Sequence, residues 1–205
     1  MKLTPQEQET IDAYDQNAAA WAGSRNQKGV WGNEKKKFFE YLPSGKIIEI
    51  GSGSGRDAQE LIAHGYEYIG TDISKGLLEI AKKRNPHASF SLQSVYNLDF
   101  PDGTFDGFWA SAVLLHIPKN RIDEALQHLK RILKDGATGF ISLKKGDGEK
   151  MVDGDHVGID YKRFFSFYEQ PEFTEILQRN HFEILETYVF DHSNKKWLAF
   201  FVKKI

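Results

Sequence analysis

Ile47-Ile48-Glu49-Ile50-Gly51-Ser52-Gly53-Ser54-Gly55-Arg56-Asp57 decides the fold. Its first four residues, rich in β-branched Ile, read as a short strand. That strand runs into a glycine cluster. A helix follows, with Ala58, Leu61 and Ile62 on one face and a stop at His64-Gly65. A strand, a glycine-rich turn and a helix N-terminus together make a place where backbone N–H groups face a ligand and side chains stay clear. Glycines serve tight turns too, so the loop alone is a weak signal.

The surrounding chain strengthens it. Downstream, Tyr66 to Thr71 reads as a second strand ending at Asp72, and Ser74 as the N-cap of a helix carrying Leu77, Leu78 and Ala81. Ser89 to Leu92 and Phe105 to Ala110 are further strands. Pro118 opens a helix through Leu133, and Asp135-Gly136 ends it before a strand from Thr138 to Leu143. This alternation implies βαβ units and a parallel sheet with right-handed crossovers. After a helix from about Glu172 to Arg179, Phe182 to Phe190 and Trp197 to Val202 flank the turn residues Asp191 to Asn194. Strands joined so closely must pair antiparallel, so the sheet ends in a hairpin. Upstream, residues 1–45 read as polar helices. Ile11, Tyr14, Ala18 and Trp21 recur at helical spacing, and a second helix runs from Asn33 to Tyr41. The expected division is an N-terminal helical segment, 1–45, on a main unit, 46–205, forming one structural domain.

Composition narrows the function classes. The 205 residues carry a formal net charge of -2, and none is cysteine. A disulfide scaffold, a thiolate zinc site and a cysteine nucleophile are excluded. The seven histidines show no paired spacing beside a carboxylate, so no metal site is expected. No stretch is long and apolar enough to span a bilayer, and Met1 to Gln6 lacks a signal-peptide run, so a cytoplasmic protein is expected. The Lys35-Lys36-Lys37 and Lys82-Lys83-Arg84 runs read as solvated helix faces rather than a nucleic-acid patch.

Asp72 follows Gly51 by 21 residues, the spacing at which a carboxylate accepts the two hydroxyls of an adenosine ribose. The dinucleotide fingerprint wants glycine where Arg56 stands. Glu49 and Asp57 would also repel a diphosphate. A ligand with a ribose and a cationic, phosphate-free arm fits better.

Glu49 to Asp57, then Gly70-Thr71-Asp72-Ile73-Ser74, resemble the first two motifs of class I S-adenosylmethionine (SAM)-dependent methyltransferases. The likeness continues from Phe90 to His116, into Leu133-Lys134-Asp135-Gly136-Ala137, and through the closing hairpin. It implies a Rossmann-like three-layer α/β sandwich: a mostly parallel seven-stranded sheet ending in an antiparallel hairpin, with an N-terminal helical lid. It further implies SAM as cofactor, S-adenosylhomocysteine (SAH) as product and methyl transfer to an O, N or S atom. By resemblance, Glu49 and the Gly51 backbone face the methionine ammonium, while Gly53 and Gly55 allow close approach. Asp72 binds the ribose and Ile73 packs on the adenine. Ser94, where the family commonly has an acidic residue, and the Val95 N–H reach the adenine edge. Ala110 and Ser111 lie near the methionine arm, Arg56 is a candidate for the cofactor carboxylate, and Trp21 lids the cofactor. Tyr14 is assigned to the core, and Trp31 to a lid or pocket wall. His116 and Asp160 are the candidate bases. His156, Tyr161, Arg163 and the aromatic run from Phe164 to Tyr168 fall where acceptor pockets are commonly built. A small-molecule acceptor is favoured over nucleic acid, with no membrane partner. A nucleic-acid methyltransferase, a nicotinamide oxidoreductase and a silent SAM-binding module stay open as alternatives, as does the choice between monomer and homodimer.

Overall fold

The computed structural model describes residues 2–24, 31–154 and 161–205. The isoleucine run forms strand β1 (Lys46–Ile50), buried on both faces, Glu49 included. It pairs in parallel with β2 (Glu67–Asp72) on one side and β4 (Phe105–Ser111) on the other. Beyond β2 lies β3 (Ser89–Leu92), and beyond β4 lies β5 (Leu133–Lys144), both parallel. The hairpin of β8 (Phe182–His192) and β9 (Lys195–Lys204) closes the sheet. β9 is inserted antiparallel beside β5, which gives the order β3-β2-β1-β4-β5-β9-β8. Helices α3 (Gly32–Tyr41), α4 (Ala58–His64), α5 (Lys75–Arg84), α6 (Ile122–Ile132) and α7 (Gln170–Arg179) flank the sheet. The Rossmann-like architecture, antiparallel hairpin included, is the one implied by the sequence. Ser74 caps α5 by accepting from the Leu77 N–H at 3.2 Å.

Other boundaries moved, each for a local reason. The N-terminal apolar run is two helices, α1 (Pro5–Gln16) and α2 (Ala18–Ser24). They part at Asn17, whose side-chain amide donates to the Ala13 carbonyl. A Thr4/Glu7 capping box starts α1. Pro118 does not open α6; a 3₁₀ turn, Lys119–Arg121, comes first. The Asp135-Gly136 turn signal is a bulge inside β5 rather than a helix stop. Leu133 already pairs with Phe105, and the register shifts before Gly107 meets Thr138.

The segment after β5 holds a second sheet that its sequence pattern hid. β6 (Glu149–Gly154) and β7 (Tyr161–Ser166) pair antiparallel. In β7 every residue except Lys162 is buried, so the period-2 alternation that marks a one-sided strand is missing. β7 docks on α1, where the Phe164 N–H donates to the Thr10 hydroxyl at 2.8 Å.

The basic runs are not solvated throughout. Lys35 is 1% exposed, and its ammonium sits 2.8 Å from Asp57 and 3.0 Å from Glu60. Lys37 pairs with Glu186. Arg84 donates to the Ser54 hydroxyl and to the Ala22 carbonyl, tying α2 to the glycine turn. Trp31 is neither lid nor pocket wall. It packs in the core against Phe190 and Trp197. Among the described residues no helix is long and apolar enough to cross a membrane.

Candidate active site

The C-terminal ends of β1, β2 and β4 converge on a cavity of about 250 Å³, where open parallel sheets of this kind place their ligands. The glycine turn is its floor. Gly53 has φ +54°, and a Cβ added there would stand in open space. Gly55 has φ +73° and turns away from the cavity. A Cβ on it would meet Asn85 Nδ2 at 2.5 Å, so its role is close packing on α5. Gly51 lines the floor beside Gly53.

Two carboxylates flank that floor. Glu49, on β1, is buried, and its carboxylate accepts a hydrogen bond from the Tyr68 hydroxyl. Burial, and then the neighbouring negative charge of Asp57, push its carboxyl up to about 8. Asp57 goes the other way. Burial alone would raise it, but Arg56 and Lys35 hold it below the usual carboxylate range. At the end of β2, Asp72 accepts from the Gly53 N–H with one oxygen and the Ser74 N–H with the other, both at 2.8 Å. Burial raises its carboxyl, and these backbone donors oppose the shift. Each oxygen keeps a lone pair for a further donor.

Ile73, Ser94 and Val95 form the wall past Asp72. The Ser94 hydroxyl already accepts from the Tyr96 N–H at 3.2 Å. Arg56 lines the cavity but forks onto Asp57, with contacts of 2.8 and 3.2 Å. Ser111 also faces the cavity, whereas Ala110, one residue earlier in β4, is wholly buried and does not line it. Next in line, Ala112 holds φ 55°, a left-handed conformation fixed by the Ser142 hydroxyl accepting its N–H at 3.0 Å. The buried hydroxyls of Ser52 and Ser111 both line the cavity without a hydrogen-bond partner. Orphaned polar atoms around an open floor fit a polar ligand.

The opposite wall comes from α1, α2 and β7. Tyr14 is part of it rather than of the core, and Trp21 stands edge-on to Tyr14 at 5.1 Å. His116 Nδ1 lies 2.6 Å from the Phe164 carbonyl, an acceptor only, so Nδ1 carries the proton. Nε2 is then free to accept from the Tyr14 hydroxyl at 2.9 Å, and that hydroxyl in turn accepts from Arg163 Nη1 at 2.8 Å. Burial, then the charges of Arg163 and Lys144, push the imidazole down to about 3. Asp160 and His156 lie outside the described residues. Lys144 and Trp197, cross-strand partners at the end of β5 and the start of β9, also reach the cavity. Sequence reasoning passed over both. The register of the closing hairpin, which sets Trp197 beside the last residue of β5, was the available signal.

The family described as "Methyltransferase domain" matches residues 47–136. A demethylmenaquinone methyltransferase of Symbiobacterium thermophilum is 31% identical over 149 residues, 66% of this chain and 55% of its own. An uncharacterized protein of Methanocaldococcus jannaschii is 30% identical over 153 residues, 73% of this chain and 70% of its own. Among solved structures, the 1,6-didemethyltoxoflavin-N1-methyltransferase of Burkholderia thailandensis superposes with a TM-score of 0.75 at 18% identity, covering 100% of this chain and 92% of that one. The chain spans 22% and 55% of the length of the first two curated relatives it matches. Residues 47–136 thus match a methyltransferase domain, and the fold is that of the class I SAM-dependent methyltransferases. SAM is the cofactor of that class.

Proposed function

We propose that the chain is a cytoplasmic enzyme that moves the sulfonium methyl of SAM to an O, N or S atom of a small-molecule acceptor by in-line displacement, leaving SAH. One observation carries this reading: two carboxylates, Glu49 and Asp72, face a single cavity across a glycine turn, beside two unpartnered serine hydroxyls. That set of acceptors suits a ribose diol and an ammonium.

Asp72 accepts the ribose hydroxyls with its spare lone pairs, and Glu49 holds the ammonium with help from the Gly51 backbone. Gly53 leaves room for close approach. Ile73 packs on the adenine face, while the Ser94 hydroxyl and the Val95 N–H meet its edge. Ser111 reaches the methionine arm, and Trp21 covers it from α2. Within the N-terminal segment 1–45, α1 and α2 act as the lid, while α3 belongs to the layer that flanks the sheet. When bound, SAM supplies an electrophilic methyl on a cationic sulfur. The chain's own contribution is to set the acceptor at near-attack distance and keep water out. His116, held neutral with Nε2 engaged, orients the Tyr14 hydroxyl rather than taking up a proton itself. If a base is needed, Asp160 is the remaining candidate.

The test is methyl transfer from labelled SAM to a small-molecule extract, total RNA and DNA, repeated across a salt series. Label in the small-molecule fraction supports the proposal. Robust, salt-sensitive labelling of RNA or DNA would overturn it.

A further inference from the structure

Arg163 carries a charge that nothing else in the described structure answers. It is the third residue of β7, 8% exposed, and it lines the cavity. Nη1 donates to the Tyr14 hydroxyl, while Nε is buried without a hydrogen-bond partner. Among the described residues no carboxylate pairs with it. Instead aromatic rings surround the guanidinium, with centroids 4.5 Å away at Trp21, 5.2 Å at Tyr161 and 5.1 Å at Phe165. Cation–π contacts soften the burial of a cation but leave its N–H groups asking for an acceptor. Lys144 adds a second cation, 3.7 Å from the centroid of Phe165. The two together help to keep His116 unprotonated, a sign that this wall is electropositive. Glu49 and Asp72 line the same cavity from the ends of β1 and β2.

We infer that Arg163 recognises an anionic oxygen, a carboxylate or an ionised hydroxyl, on a planar aromatic acceptor seated against Tyr14, Trp21 and Phe165. This rests on the methyltransferase reading and adds the chemical class of the acceptor. The guanidinium supplies the charge-assisted hydrogen bond, and the rings supply the apolar faces. The rival claimant for Arg163 is the carboxylate of the cofactor itself.

The experiment is titration calorimetry of the intact, SAH-loaded protein with matched acids and amides: salicylate and salicylamide, 4-hydroxybenzoate and 4-hydroxybenzamide, anthranilate and anthranilamide. At least one acid is expected to bind about tenfold more tightly than its amide. Arg163→Gln should abolish that preference and leave SAH affinity within about twofold, and Arg163→Lys should keep part of it. The wild-type comparison stands even if a variant fails to fold. The proposal is overturned if no acid outbinds its amide, or if the preference survives in Arg163→Gln. It is equally overturned if Arg163→Gln weakens SAH binding about tenfold, which would assign the residue to the cofactor. Wild-type protein that binds neither SAM nor SAH would sink the methyltransferase reading first, and this proposal with it.

Discussion

Glu49→Gln keeps the size of the side chain and an acceptor for the Tyr68 hydroxyl, and it removes the charge. In the folded chain burial, with Asp57 nearby, moves the Glu49 carboxyl from 4.5 up to about 8. Between those values the folded state binds a proton that the unfolded state has released. Stability therefore falls as pH rises from 4.5 toward 8 and is fully reduced above that. At about 1.4 kcal/mol per pKa unit, keeping the carboxylate ionised above pH 8 costs up to about 5 kcal/mol. The glutamine variant escapes this cost. It should melt at a higher temperature than wild type at pH 8.5, with the gap closing toward pH 5. Cofactor binding should reverse the ranking. An ammonium beside Glu49 favours its charged form, so SAH should expel most of one proton at pH 7, given a free-protein value of about 8. Wild-type SAH affinity should then rise about ninefold from pH 6 to pH 7 and about fivefold from pH 7 to pH 8. The variant should lose that slope and bind at least about tenfold more weakly at pH 8.5. Calorimetry in two buffers of different ionisation enthalpy reads the proton directly, and thermal melts read the stability. Wild-type SAH binding that is flat from pH 6 to 8, with no proton released at pH 7, would refute the reasoning.

Asp72→Ala removes the acceptor facing the cavity together with two backbone bonds of the turn; SAH affinity should fall at least about tenfold, and an unchanged dissociation constant would exclude the ribose role. Ser94→Ala should weaken SAH binding only a few-fold, roughly 0.5–1.5 kcal/mol, because its hydroxyl is neutral and already serves the Tyr96 N–H. Lys35→Met strips a buried cation from Asp57 and Glu60 and should lower unfolding free energy by about 3 kcal/mol in urea titrations; an unchanged midpoint would mean the pair is not formed. Because burial pushes His116 down to about 3, turnover between pH 5 and 8 should show no histidine ionisation, and a step near 6.5 that vanishes in His116→Asn would contradict the buried, neutral imidazole.

The strand cores were legible because fully buried parallel strands are written as short apolar runs. Ile47 to Ile50 and Phe105 to Ala110 read as strands even though Glu49 interrupts the one and Asp106 the other. The antiparallel end of the sheet followed from the turn residues Asp191 to Asn194, of which Ser193 and Asn194 form the turn and Asp191 and His192 extend β8. The β6–β7 hairpin was not legible. Tyr161 to Ser166 is buried on both faces, against α1 on one part of its length, and charged residues precede it, so the run reads as a loop. The site divides the same way. Asp72, Glu49, Gly51 and Gly53 are fixed by local spacing along one βαβ unit, and all four reach the cavity. Gly55 and Ala110 sit in the same motifs, yet their neighbours, Asn85 in one case and the buried sheet interior in the other, turn them away. Tyr14 meets His116 and Arg163 across more than a hundred residues of chain, through tertiary packing that no local pattern records. Lys35 shows the reverse failure. A lysine in a basic run is ordinarily solvated, and only the fold brings Asp57 and Glu60 to its ammonium.

The most direct measurement is titration calorimetry of the intact chain with SAM, SAH and NAD under one buffer condition. SAM and SAH should each bind and compete for a single site, Asp72→Ala should weaken both, and NAD should give no heat of binding. Tight NAD binding, with neither sulfur compound bound, would contradict the assignment of this glycine turn and its two carboxylates to a methyl donor.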